Sequence, residues 1–247
     1  MAYRRSRGPG LASMLTFGGR VPATIGFVLV AMLVASVFAW QSPGFRSLAE
    51  FWPTALLAGQ LWRLASWPFV QTDPFGLLFV GLMLWWLGPQ LIYAWGERRF
   101  ALRSLGITVG ASVATTLIAL VWAPANQPHA GAWPVVNALI VSWAMLYPDR
   151  QVNIWGILPL TGKTLALLTV FGTVLYALAG RGGGGFGAFM LHFTALAIAF
   201  ALSRGVSPGR FFRDAQRRMQ EREARRRAKH LKVIRRDGQD DQSRWMN

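Results

Sequence analysis

Apolar residues in this chain come in long runs, not in the alternation of a half-buried strand or the 3.6-residue stripe of a soluble helix. Runs of about 17 to 23 residues, the length at which a helix crosses a hydrocarbon core, lie at 23–40, 75–95, 101–123, 131–147, 160–180 and 186–203 between charged or Gly/Pro-rich breaks. They predict an all-α polytopic membrane bundle of six transmembrane helices, because in lipid a spanning segment must satisfy its own backbone hydrogen bonds. The segment between the first two runs, 41–74, is too polar and too punctuated to cross. It carries Trp52, Trp62 and Trp67, residues that favour the headgroup level, and is expected to lie as an interfacial loop in the outer leaflet.

Composition agrees with this class: 53% of residues are hydrophobic and the mean hydropathy is +0.33. Charge then orients the chain. The basic N-terminus, 1–22, holds Arg4, Arg5, Arg7 and Arg20; Arg98, Arg99 and Arg103, then Arg150 and Lys163, follow in alternate loops. By the positive-inside rule both termini are cytoplasmic, and the pattern suggests a bacterial inner (plasma) membrane. No small-residue cleavage pattern follows Trp40, so the first span reads as an uncleaved anchor. The absence of cysteine excludes disulfides and thiolate chemistry.

The net charge of +16 is concentrated in the cytoplasmic tail, 204–247. Residues 204–236 carry thirteen Lys/Arg against Asp214, Glu221 and Glu223, a net +10. Because the tail leaves a membrane helix, anionic headgroups are within reach of Arg217, Arg218, Arg225, Arg226 and Arg227, at about 1 kcal/mol per basic residue. Nucleic acid is not expected as a partner. Phe211, Phe212, Ala215 and Met219 recur at near-helical spacing, which fits either a short interfacial helix or a solvated basic helix that fixes topology.

Six motifs succeed one another in the membrane region: Gly59-Gln60-Leu61-Trp62-Arg63-Leu64, Leu84-Trp85-Trp86-Leu87-Gly88, Gly96-Glu97-Arg98-Arg99-Phe100, Gly131-Ala132-Trp133-Pro134, Tyr147-Pro148-Asp149-Arg150 and Leu191-His192-Phe193. In order and spacing, over residues 45–203, they resemble the rhomboid family of intramembrane serine proteases. The resemblance implies that Trp62 and Arg63 form the outer-loop motif, that position 192 is the family's catalytic histidine, and that position 133 is its serine. It also places Gly76 and Val80 where rhomboids carry a histidine and an asparagine beside the oxyanion.

Proteolysis of that kind needs a hydroxyl activated by histidine and donors for the oxyanion. Trp133 supplies no nucleophile, Pro134 lacks an N–H, and neither Gly76 nor Val80 has a side-chain donor. Ser142 lies nine residues beyond Trp133, about 13 Å along a helix, and is too deep to replace it. His129 could approach His192, but two histidines without a nucleophile or carboxylate define no hydrolase. The third histidine, His230, belongs to the opposite compartment, so no metal site and no cofactor are expected. His192 is expected to be a neutral histidine bonded to Trp133, Asn137 or a backbone carbonyl.

Gly76 and Gly81, and the Ala195 and Ala199 pair, read as small residues that let helices approach. Gly182 to Gly185 reads as a flexible loop, since no Lys-Ser/Thr follows it. The resemblance as a whole implies a pseudoprotease that binds transmembrane clients without cleaving them, in a groove between the second and fifth spans. The alternative is an active rhomboid intramembrane serine endopeptidase. A transporter subunit ranks third, because Asn137 and His192 are the only strongly polar residues in mid-span.

Overall fold

The computed structural model describes residues 22–154, 158–180 and 185–204. The basic N-terminus, Arg181, the tail arginines from Arg217 to Arg227, and most of the Gly182–Gly185 run lie outside the described residues.

Helix α1 (Ala23–Gln41) is followed by two short helices, α2 (Pro43–Ala49) and α3 (Pro53–Leu57), and by 3-10 turns at Leu61–Leu64 and Trp67–Phe69. Then come α4 (Pro74–Trp95), α5 (Glu97–Val121), α6 (Trp133–Leu146), a hairpin of β1 (Gln151–Ile154) and β2 (Leu158–Thr161), α7 (Gly162–Leu178), α8 (Gly185–Ala188) and α9 (Met190–Ser203). Local chemistry sets several of these boundaries. Asp73 caps α4 by accepting from the Gly76 N–H at 2.7 Å, with Pro74 in the first turn. Thr161 caps α7 in the same way, accepting from Thr164 N–H. The turn from α4 into α5 is made by Gly96, at φ +81°.

Among the described residues, α1, α4 and α5 are long and apolar enough to cross a membrane, with mean hydropathies of 2.3, 1.7 and 1.9. The other three apolar helices, α6, α7 and α9, have 14, 17 and 14 residues. At 1.5 Å per residue, 14 residues reach about 21 Å, short of a hydrocarbon core of about 30 Å. The runs read from the sequence as full spans are therefore cut back. Gly131, at φ +108°, keeps the chain out of helix before Trp133, and Pro148 disfavours helix at Tyr147 and ends it.

Two further expectations are corrected. The fold is not purely helical: β1 and β2 pair antiparallel, with Val152 opposite Leu160 and Ile154 opposite Leu158. Nor do all the tryptophans of 41–74 lie at an interface. Trp52 and Trp62 are exposed, but Trp67 is fully buried and donates from Nε1 to Ser112 Oγ on α5 at 2.9 Å. A buried indole with a partner for its N–H contributes more as core than as a headgroup anchor.

The core is organised round α6, where Val135, Val136, Ala138, Leu139, Ile140, Val141, Trp143 and Ala144 are all buried despite the helix's short length. Helix α9 packs on α6 and on α5, and α7 covers another side of α6. Ala195 and Ala199 of α9 and Ala111 of α5 are fully enclosed, the close approach expected of small residues between membrane helices. Hydroxyls join the same contact, Thr115 and Thr194 lying 2.9 Å apart. Gly81 faces Leu29 of α1, whereas Gly76 serves the α4 cap: a Cβ there would meet Asp73 Oδ2 at 2.9 Å.

Candidate functional site

The segment before α6 is fixed by backbone pairing. Phe51 and His129 exchange both N–H···O bonds at 2.8 Å, and Gly131 N–H donates to the Trp67 carbonyl at 3.1 Å. These bonds tie residues 129–131 to the 41–74 segment. Arg63 is buried and donates to the carbonyl of Glu50, the residue before Phe51, and to Gln60 Oε1. Trp62, its neighbour, is exposed and donates to the Leu48 carbonyl. The Trp-Arg motif therefore acts as a clamp on the loop that delivers His129.

Gly131 sits at φ +108°, where an L-residue is strained, and a Cβ would come 3.2 Å from Gln71 Oε1. Gly131→Ala is expected to cost about 1–2 kcal/mol of stability, read from denaturant unfolding in micelles. A loss within about 0.3 kcal/mol of zero would contradict the assignment of strain.

Beyond this clamp lies a cavity of about 590 Å³, bounded by α6, α7, α9 and the His129 segment. Trp133 and Asn137 of α6, Thr173 and Tyr176 of α7, and Phe189 and His192 at the start of α9 line it. The two histidine rings stand edge to face with centroids 5.1 Å apart, and Phe189 lies 5.1 Å from His192 on its other side. Trp67 meets His129 edge-on at 5.7 Å. His129 Nε2 and His192 Nδ1 are both enclosed without a hydrogen-bond partner. Burial pushes the His129 imidazole down to about 4, opposed in part by a backbone bond to Gly131.

Sequence positions 133 and 192 thus border one cavity, although Trp133 is only part-enclosed, at 40% exposure. His192 is expected to bond to Trp133, Asn137 or a backbone carbonyl, but its Nδ1 has no partner and its ring meets His129 and Phe189; Asn137 instead reaches Thr173 Oγ1 at 3.5 Å. Gly76 and Val80 do not line the cavity: Gly76 lies in the first turn of α4 and Val80 is fully buried core. Ser142 is also buried away from it, its hydroxyl donating to the Ala138 carbonyl at 2.9 Å.

The cavity's threonine hydroxyls are committed as well. Thr169 Oγ1 donates to the Leu165 carbonyl and Thr173 Oγ1 to the Thr169 carbonyl, each at 2.8 Å. Among the described residues, no serine, cysteine or carboxylate borders the cavity. Nor does any group of three His, Cys, Asp or Glu side chains among them lie close enough to hold a metal ion. What the site offers is two imidazoles, an amide, a phenol and a set of aromatic faces. Tyr176, Phe189 and Thr173 were not singled out in the sequence. The Thr169/Thr173 pair, four residues apart in an apolar run, was the available signal.

The profile of a family described as "Eukaryotic integral membrane protein (DUF1751)" matches residues 23–218. No curated protein matches the chain. The family's description overturns the placement in a bacterial inner membrane: it is eukaryotic, and the feature behind that placement does not discriminate. An excess of Lys and Arg in alternate loops reports which loops stay untranslocated, and says nothing about the kind of cell.

Proposed function

The chain belongs to this family of integral membrane proteins, and from that premise we propose that it is a rhomboid-like pseudoprotease, which binds transmembrane clients without cleaving them. In this reading α1, α4, α5, α6, α7 and α9 are six crossings of one membrane domain, 23–203, with a rhomboid-like arrangement. The short helices then lie in locally thinned bilayer or are shielded by their neighbours.

The single observation that supports it best is that Trp133 and His192 border the same cavity while, among the described residues, no serine lines it. An indole at the serine position cannot be acylated, and the donors an oxyanion would need are missing at Pro134, Gly76 and Val80. What remains is a partly open, aromatic-lined cleft beside α7. Much of α7 is exposed apolar surface, including Leu167, Phe171, Leu175 and Tyr176. A client helix lying along α7 would bury that surface and bring its polar turn residues to Asn137 and the two histidines.

The test uses protein reconstituted in nanodiscs with a labelled single-span peptide. Energy transfer that saturates with peptide, weakens on Tyr176→Ala, and leaves the peptide intact by mass spectrometry is the expected result. Cleavage of the peptide, or fluorophosphonate labelling that disappears in His192→Ala, would replace this reading with an active intramembrane serine endopeptidase. Trp133→Ser alone is expected to give neither cleavage nor labelling.

A further inference from the structure

The cavity beside the two histidines is walled largely by aromatic rings, and they reach it from three helix ends. Trp133 is the first residue of α6, Tyr176 stands in the last turn of α7, and Phe189 immediately precedes α9. Helix ends are where the aromatics of a membrane protein meet the lipid headgroups. Along one wall the rings form a continuous series. Tyr176 and Phe189 have centroids 5.8 Å apart with planes at 54°, Phe189 and His192 follow at 5.1 Å, and His192 meets His129 at 88°. Trp133 borders the same space from α6.

Charge narrows the ligand. Among the described residues no Lys, Arg, Asp or Glu lines the cavity, and burial keeps the His129 imidazole neutral at pH 7. An anion finds no cation among them, and a primary ammonium finds no carboxylate for its N–H groups. A quaternary ammonium needs neither, because it has no N–H to satisfy and is drawn to the faces of aromatic rings. Its counter-charge can come with it as the phosphodiester of a zwitterion, for which the Asn137 amide and the Tyr176 hydroxyl are neutral donors. From Tyr176 the lining continues down α7 to Leu168, about 12 Å along the helix. On the way it passes Gly172, where a Cβ would meet nothing within 4 Å, so there is open space for a hydrocarbon chain.

We propose that this cavity binds one choline phospholipid, its trimethylammonium among Trp133, Tyr176 and Phe189, its phosphate accepting from Asn137 and Tyr176, and an acyl chain passing Gly172 and Leu168. The aromatic walls select the quaternary headgroup over a primary amine of the same net charge. This inference goes beyond client binding and stands whether or not a client helix lies along α7.

The full-length protein in a maltoside detergent, titrated with phosphatidylcholine, phosphatidylethanolamine of the same chains, or glycerophosphocholine, tests it by native mass spectrometry and thermal unfolding. Phosphatidylcholine is expected to remain bound as a single molecule and to raise Tm, with phosphatidylethanolamine about tenfold weaker. Glycerophosphocholine, which has no chains, is expected to have no effect at the same concentration. The double variant W133L/Y176L, at two partly exposed positions, is expected to cut the preference between the two lipids to about twofold. Tyr176→Phe keeps the ring and should keep the preference. Gly172→Leu fills the open space with a better helix former, so it is expected to reduce retention of both lipids without lowering the lipid-free Tm. Equal binding of the two lipids by the parent, a preference unchanged in W133L/Y176L, or retention undiminished by Gly172→Leu would overturn the proposal. Glycerophosphocholine binding as tightly as phosphatidylcholine would make the ligand a soluble choline ester and overturn the lipid assignment.

Discussion

Trp67→Ala is expected to lower the free energy of unfolding by about 3–5 kcal/mol, the cost of emptying a large aromatic site in a close-packed core. The side chain is fully buried, and three features meet at this residue. Its indole N–H donates to Ser112 Oγ at 2.9 Å, its carbonyl accepts from Gly131 N–H at 3.1 Å, and its ring meets His129 at 5.7 Å. Ser112 is not orphaned by the substitution, because its hydroxyl also reaches the Leu64 and Thr108 carbonyls. The loss is therefore mainly packing, and Trp67→Phe, which restores most of the volume, should recover more than half of it. Denaturant titration in micelles, followed by helical circular dichroism, gives both values. An alanine variant within about 1 kcal/mol of the parent would show that the 41–74 segment is not seated on α5 as described.

That dependence separates what could be read in the sequence from what could not. The apolar runs revealed the helices because a membrane helix is marked by length and hydrophobicity alone, and α4 from Pro74 to Trp95 nearly coincides with the run at 75–95. They could not reveal helix length where local backbone chemistry intervenes, as Gly131 and Pro148 do at the two ends of α6. The hairpin at 151–161 was hidden for a different reason. Its alternation of Val152 with Ile154, and of Leu158 with Leu160, is too short to stand out beside a 17-residue apolar helix. Residues 133 and 192 were recognised by resemblance and border one cavity, but the ring of aromatics round them comes from three helices and a loop. Nothing in the linear pattern shows that Trp67 turns inward while Trp62, five residues before it, faces out.

Acidification is expected to destabilise the protein through His129, and the direction follows from its surroundings. The imidazole lies on the segment between α5 and α6, with Nε2 enclosed and unpartnered, and it faces His192 and the ring of Trp67. Among the described residues no carboxylate lines the cavity to compensate a charge there. Burial lowers its folded-state value to about 4, against about 6.5 in the unfolded chain. The folded state therefore resists protonation that the unfolded state accepts. Above about pH 7 both states are neutral and the contribution is complete. As pH falls below 6.5 the unfolded chain takes up the proton first, and stability is lost at about 1.4 kcal/mol per pH unit until the folded state is also protonated near pH 4. At pH 5 the loss is about 2 kcal/mol, approaching about 3 kcal/mol at pH 4. His129→Gln retains a polar side chain of similar reach but cannot titrate, so the difference in unfolding free energy between parent and variant should change by those amounts between about pH 7.5 and pH 4. Acid sensitivity from groups distant from the two facing histidines appears in both proteins and cancels. A difference that stays constant with pH would mean that the His129 imidazole is open to water and not buried as described.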